Sequence, residues 1–296
     1  MLAGVNPELS WNVARDLRQL FEYPFMVNAF RAGTIAAVTA GCVGWFMVLR
    51  RQSFAGHTLA VVGFPGAAGA VLIGASANLG FFAFCLAAAL VIAAQPQSGR
   101  RSFSEESAVI GTVQAFALAC GFLFVSLYRG NLNGINALLF GSFLGITTAG
   151  VVWLASIATA GLIALAVVAR PLLFASVDPD VATASGVPVR LLSAVFLVLL
   201  GVAAAATSQI TGSLLVFALL VLPAATAQRI TTNPVFSVGL TVALALGVTW
   251  SGLALAYYSS YPIGFYVTTV AFGAYLIAVV LTAAVPRRSR RVLQAS

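Results

Sequence analysis

A chain of 296 residues that is 61% hydrophobic and only 7% charged cannot fold as a water-soluble domain, which carries about a quarter charged residues. Its formal charge of +8 comes from fifteen arginines against seven acids, with no lysine anywhere, which excludes a nucleotide-binding P-loop, whose lysine must reach the phosphates. Lying in short breaks between apolar runs, this charge orients loops across a membrane rather than binding nucleic acid.

Residues 1–24 mix acids, arginines and aromatics and lack the positive start and apolar middle of a cleavable signal. They are expected to form a short extracytoplasmic, interfacial helix, with Ser10 as a cap. Nine apolar windows follow, at 25–49, 57–75, 78–95, 106–127, 146–169, 190–207, 211–228, 235–258 and 263–285, each close to the length a membrane-crossing helix needs. The fold class is therefore an all-α integral membrane protein: a polytopic helical bundle of about nine spans, with eight to ten allowed by the marginal windows. The membrane bundle occupies 25–285, and residues 286–296 form a basic cytoplasmic tail.

The second window is interrupted by Gly63, Pro65 and Gly66, which predicts a helix break covered by neighbouring protein. Pro223 in LLVLPAATAQR predicts another broken or tightly packed helix. Cys42, Cys85 and Cys120 stand singly in apolar runs, as small buried hydrophobes rather than metal ligands. Glu105 and Glu106 open the fourth window, where helix capping or pairing with Arg100 or Arg101 is the expected use.

Alternating nine spans puts Arg50, Arg51, Arg100, Arg101, Arg170, Arg190, Arg229, Arg287, Arg288, Arg290 and Arg291 on one face. Arg15, Arg18 and Arg129 fall on the other, and Arg31 lies within the first span. Positive charge collects in cytoplasmic loops, so the N-terminus is expected outside and the C-terminus in the cytoplasm.

The longest polar break inside the bundle is ASVDPDVATASGVPVR, residues 175–190. Asp178 suits a helix N-cap, Pro179 the first helical position, Gly186 the left-handed residue past the end, and Pro188 a stop. A short, sharply bounded helix on the cytoplasmic face follows, serving either as a connector or as a rigid knob docked into a separate motor subunit.

The segments VLRRQSFAGHTLAVVGFPGAAGA at 48–70, INALLFGSFLGIT at 135–147, DPDVATASGVPVRLL at 178–192, TGSLLVFALLVLPAATAQRIT at 211–231 and SSYPIGFYVTTVAF at 259–272 together resemble the permease subunits of bacterial ABC importers for zinc, manganese or iron. That fold is similar to the cobalamin and siderophore permeases. The resemblance implies a homodimer in the bacterial cytoplasmic membrane, surrounded by lipid, with two cytoplasmic ATP-binding subunits and an extracytoplasmic metal-binding protein. It also implies that Asp178, Ala182 and Gly186 meet the ATPase, which hydrolyses the ATP, so that this chain is no enzyme. No cofactor is expected beyond the transported divalent metal, with zinc placed first, then manganese or iron.

The chain's only histidine departs from that family's pattern. Aligned without gaps, His57 stands where relatives carry an aspartate, and Val61 where they carry a histidine. The i, i+4 spacing would place such a pair on one helix face, and a two-fold dimer would bring two pairs together. With Val61 in place, one imidazole per subunit remains, which suits zinc, copper or nickel better than the harder manganese. His57 reads either as ligand or gate, or as a helix-start residue bonded to a neighbouring carbonyl or water. Two other functions stay open: a same-fold permease for a metal chelate or small solute, and a proton-coupled carrier. The second is disfavoured because the spans offer almost no acid or base relay.

Overall fold

The computed structural model describes residues 13–94, 103–128, 145–213, 216–259 and 261–284. These residues fold into eleven helices: α1 Val13–Glu22, α2 Pro24–Leu49, α3 Ser53–Leu72, α4 Ala77–Ala93, α5 Phe103–Leu127, α6 Thr148–Val177, α7 Pro179–Ala184, α8 Val189–Thr211, α9 Val216–Ile230, α10 Pro234–Tyr257 and α11 Ile263–Ala284. Among them, seven are long and apolar enough to cross a membrane, and α4 and α9 are shorter apolar helices. The nine apolar windows correspond one for one to these nine helices.

An apolar helix in lipid gains nothing by hiding apolar side chains, so close backbone approach decides which helices pack centrally. Helix α3 is the most enclosed, with 78% of its apolar window buried, followed by α2 at 67% and α8 at 61%. Helices α5, α6, α10 and α11 surround them. Small residues allow this centre to close: the Gly66 position of α3 faces the Gly80 carbonyl of α4, Gly63 lies against the Phe81 ring, and Ala203 to Ala206 of α8 are fully buried.

The predicted break in the second span is corrected by the structure. Helix α3 runs unbroken through Gly63, Pro65 and Gly66. Pro65 withholds one amide hydrogen and crowds the carbonyl one turn back, yet its ring is buried against Gly121 of α5, so neighbouring helices enclose the strained turn. Its glycines act as contact points for α4 rather than as hinges. Pro223 likewise lies inside a continuous α9. An interruption occurs nearby instead, after α8 ends at Thr211, where Gly212 takes φ 77° and ψ 152°.

Helix α6 extends well past its apolar window, carrying Arg170 and Pro171 inside the helix and ending at Val177. Helix α1 packs at the other end of the bundle, where Leu20, Met26 and Tyr257 form a small buried cluster. Ser10, Arg100, Arg101, Arg129, most of the 135–147 motif and the 286–296 tail lie outside the described residues.

Candidate functional site

Helix α2 ends in a tight turn. Arg51 adopts a left-handed backbone with φ 57°, its amide donates to the Val48 carbonyl, and the Gln52 amide donates back to the Met47 carbonyl. This is the double-bonded helix stop usually built on glycine, here with arginine at the left-handed position. It fixes the angle at which α3 departs and so places His57 in the second turn of α3.

The half-buried His57 ring meets Phe217 of α9 at 5.3 Å between centroids and 73° between planes. Its Nδ1 is shielded from solvent and makes no hydrogen bond to the described residues. A buried imidazole nitrogen without a partner is costly unless a ligand or water completes it, and a neutral imidazole is a good metal donor. Beside it, the fully buried Thr58 donates to Oε1 of Gln114 on α5 at 2.8 Å. One turn along α3, Val61 is 6% exposed and contributes only apolar surface. Among the described residues no group of three or more His, Cys, Asp or Glu could hold a metal ion. Each chain thus offers one imidazole, set against an aromatic ring.

Helix α9, which carries Phe217, is held firmly. Gly44 of α2 sits against the backbone carbonyl of Leu220, Gln228 Nε2 donates to the Trp45 carbonyl at 2.8 Å, and Trp45 Nε1 donates to Ser237 Oγ of α10 at 2.8 Å. The buried Pro223 removes the amide that would have served the Leu219 carbonyl.

The second element is α7. Asp178 Oδ1 accepts from the Val181 amide at 3.0 Å, Pro179 opens the helix, Gly186 takes φ 81°, and the Val187 amide returns to the Ala182 carbonyl. Asp178, Pro179 and Gly186 take the backbone roles predicted for them, whereas Pro188 lies past the end of α7 as the N-cap of α8. Ala182 points into the core and is fully buried, so its side chain anchors the helix. The outward surface is made by Val177, Asp180, Val181 and Thr183, with Asp178 and Gly186 exposed at its ends.

The structure therefore separates the singled-out residues into three places. His57 lies on α3 against Phe217 of α9, whose later turn holds Pro223, and Val61 is buried one turn further along α3. Asp178, Ala182 and Gly186 form α7, while Gly63, Pro65 and Gly66 pack α3 onto α4 and α5. Phe217, Gln114 and Gly44 gave no comparable signal in the sequence, although Gln114 stands out as a lone amide in an apolar run. A cavity of about 380 Å³ between α2, α6 and α10 is apolar and contains none of these residues.

Comparison with known proteins agrees with this arrangement. The ABC 3 transport family matches residues 22–282. The manganese transport system membrane protein MntC of Halalkalibacterium halodurans is 30% identical over 81% of this chain and 80% of its own length. The chelated iron transport system membrane protein YfeC of Yersinia pestis is 30% identical over 83% of this chain and 81% of its own. In the solved structure of PsaBC from Streptococcus pneumoniae in complex with a Fab, one chain superposes with a TM-score of 0.79 at 25% identity. The match covers 90% of this chain and 95% of that one.

Proposed function

The chain belongs to the ABC 3 transport family, and we propose that within it this chain is the permease subunit of an ATP-driven importer for a divalent metal ion. As a homodimer it would form the translocation path. The observation that carries this reading is α7: a helix with complete start and stop signals, an anchored Ala182 and an exposed outer face, set between two long helices of the bundle. Such a rigid knob suits transmission of movement from a separate ATPase, since this chain has no lysine for a P-loop of its own. An external metal-binding protein would deliver the ion to the opposite face, and the arginine distribution supports a cytoplasmic C-terminus.

Relatives named for manganese and chelated iron move the expected cargo away from zinc. Manganese has the most support by kinship. The single imidazole pulls the other way, because manganese favours hard oxygen donors. A weak, incomplete donor set is compatible with passage, since a pore must release its ion. In this reading His57 and its two-fold mate supply transient nitrogen contacts, and water or backbone carbonyls supply the rest.

Reconstituting the chain with its ATPase and binding protein tests the proposal. Uptake of manganese, iron or zinc that requires ATP supports it. Uptake of a chelate alone would favour the same-fold chelate permease, and uptake driven by a proton gradient without ATPase would favour a carrier.

A further inference from the structure

Arg50 caps the C-terminus of α2, three residues before α3 begins. Its guanidinium leaves that junction and reaches both roots of α7. Nη1 donates to Ser176 Oγ in the final turn of α6 at 3.0 Å, and Nη2 donates to Ser193 Oγ near the start of α8 at 2.7 Å. Nε donates back to Gln52 Oε1 of its own turn at 3.4 Å. The cation also lies 5.4 Å above the fully buried Phe196 ring of α8. One planar fork therefore spans the two helices between which α7 hangs, and its backbone is fixed by the turn that aims α3 and His57.

We propose that Arg50 is a positioning residue that ties the α7 stem to the α2–α3 junction, so that displacement of α7 reaches the helix carrying His57. The inference rests on the transporter reading and assigns that reading a residue in the force path. Arginine suits the task because its rigid fork serves two separated acceptors while its face stacks on a ring, which a lysine point charge cannot do at once.

The test uses the complete transporter in proteoliposomes, measuring metal uptake and ATP hydrolysis in the same preparation. Arg50→Ala is expected to lower uptake per ATP about ten-fold, the scale of an ordinary coupling between sites, while hydrolysis changes far less. Arg50→Lys is expected not to restore the ratio. The double variant Ser176→Ala with Ser193→Ala removes the acceptors while leaving the arginine, and is expected to reproduce the loss even if Arg50→Ala fails to assemble. An unchanged ratio in either variant overturns the proposal. A double-mutant cycle on thermal unfolding of the purified chain examines the contact without transport: the shifts from Arg50→Ala and the serine pair should be non-additive, and additive shifts also overturn the link. Failure of the native complex to couple uptake to ATP would instead refute the transporter reading.

Discussion

The His57 imidazole stands edge-on to the Phe217 ring at 5.3 Å, joining the second turn of α3 to the first turn of α9. The contact leaves Nδ1 buried without a partner among the described residues, so the ring is oriented and still available. Because removing even an outer-shell partner costs a metal site about 10- to 100-fold, His57→Ala should reduce metal uptake by about ten-fold or more. Installing an aspartate and a histidine four residues apart, with His57→Asp and Val61→His together, adds an oxygen donor and should shift competition between zinc and manganese toward manganese. Uptake of competing ions by the two variants checks both expectations, and native rates in His57→Ala would remove the residue from the path.

Asp178 closes the start of α7 by accepting from the Val181 amide. Asp178→Ala should cost about 1 kcal/mol of local helix stability and weaken association with the ATPase, whereas Asp178→Asn should retain the cap and most of the association. Co-purification of the ATPase with each variant reads the effect directly.

At Gly44 an added methyl group would run into the Leu220 carbonyl, and neither backbone has room to yield without parting α2 from α9. Gly44→Ala should destabilise the protein by about 1–3 kcal/mol. Gly247, also inside a helix but with open space around it, provides the control, and its replacement by alanine should be neutral or stabilising by up to about 1 kcal/mol. Thermal unfolding in one detergent compares the pair.

The arginine distribution predicts that α7 faces the cytoplasm and the α3–α4 turn faces outside. Thr183→Cys should therefore react with an impermeant maleimide only in inverted vesicles or opened cells, and Ser76→Cys in intact cells. The reverse labelling would invert the topology.

Much of this was legible before any coordinates. Apolar windows located the nine apolar helices among the described residues because lipid demands continuous apolar length, and α7 was readable because Asp178, Pro179, Gly186 and Pro188 are local backbone signals. The same local logic failed at Pro65, and at Pro223 it left open a break or tight packing, of which the structure shows the packing. Whether a proline opens a helix depends on what covers it, and the packing of Gly121 beside Pro65 and of Gly44 beside Leu220 is tertiary information. His57 was visible as the only imidazole, but its partner Phe217 lies 160 positions away on a helix whose start is set by Gly212. Arg50 read only as a marker of side, since nothing in the sequence joins it to Ser176 and Ser193.

The central claim is tested most directly by ATP-dependent uptake of radioactive manganese into proteoliposomes holding this chain, its ATPase and its metal-binding protein. The account predicts accumulation that stops when ATP is withheld and falls by about ten-fold or more in His57→Ala. Accumulation that ignores ATP, or that occurs only with a chelated ion and is indifferent to His57, would contradict it.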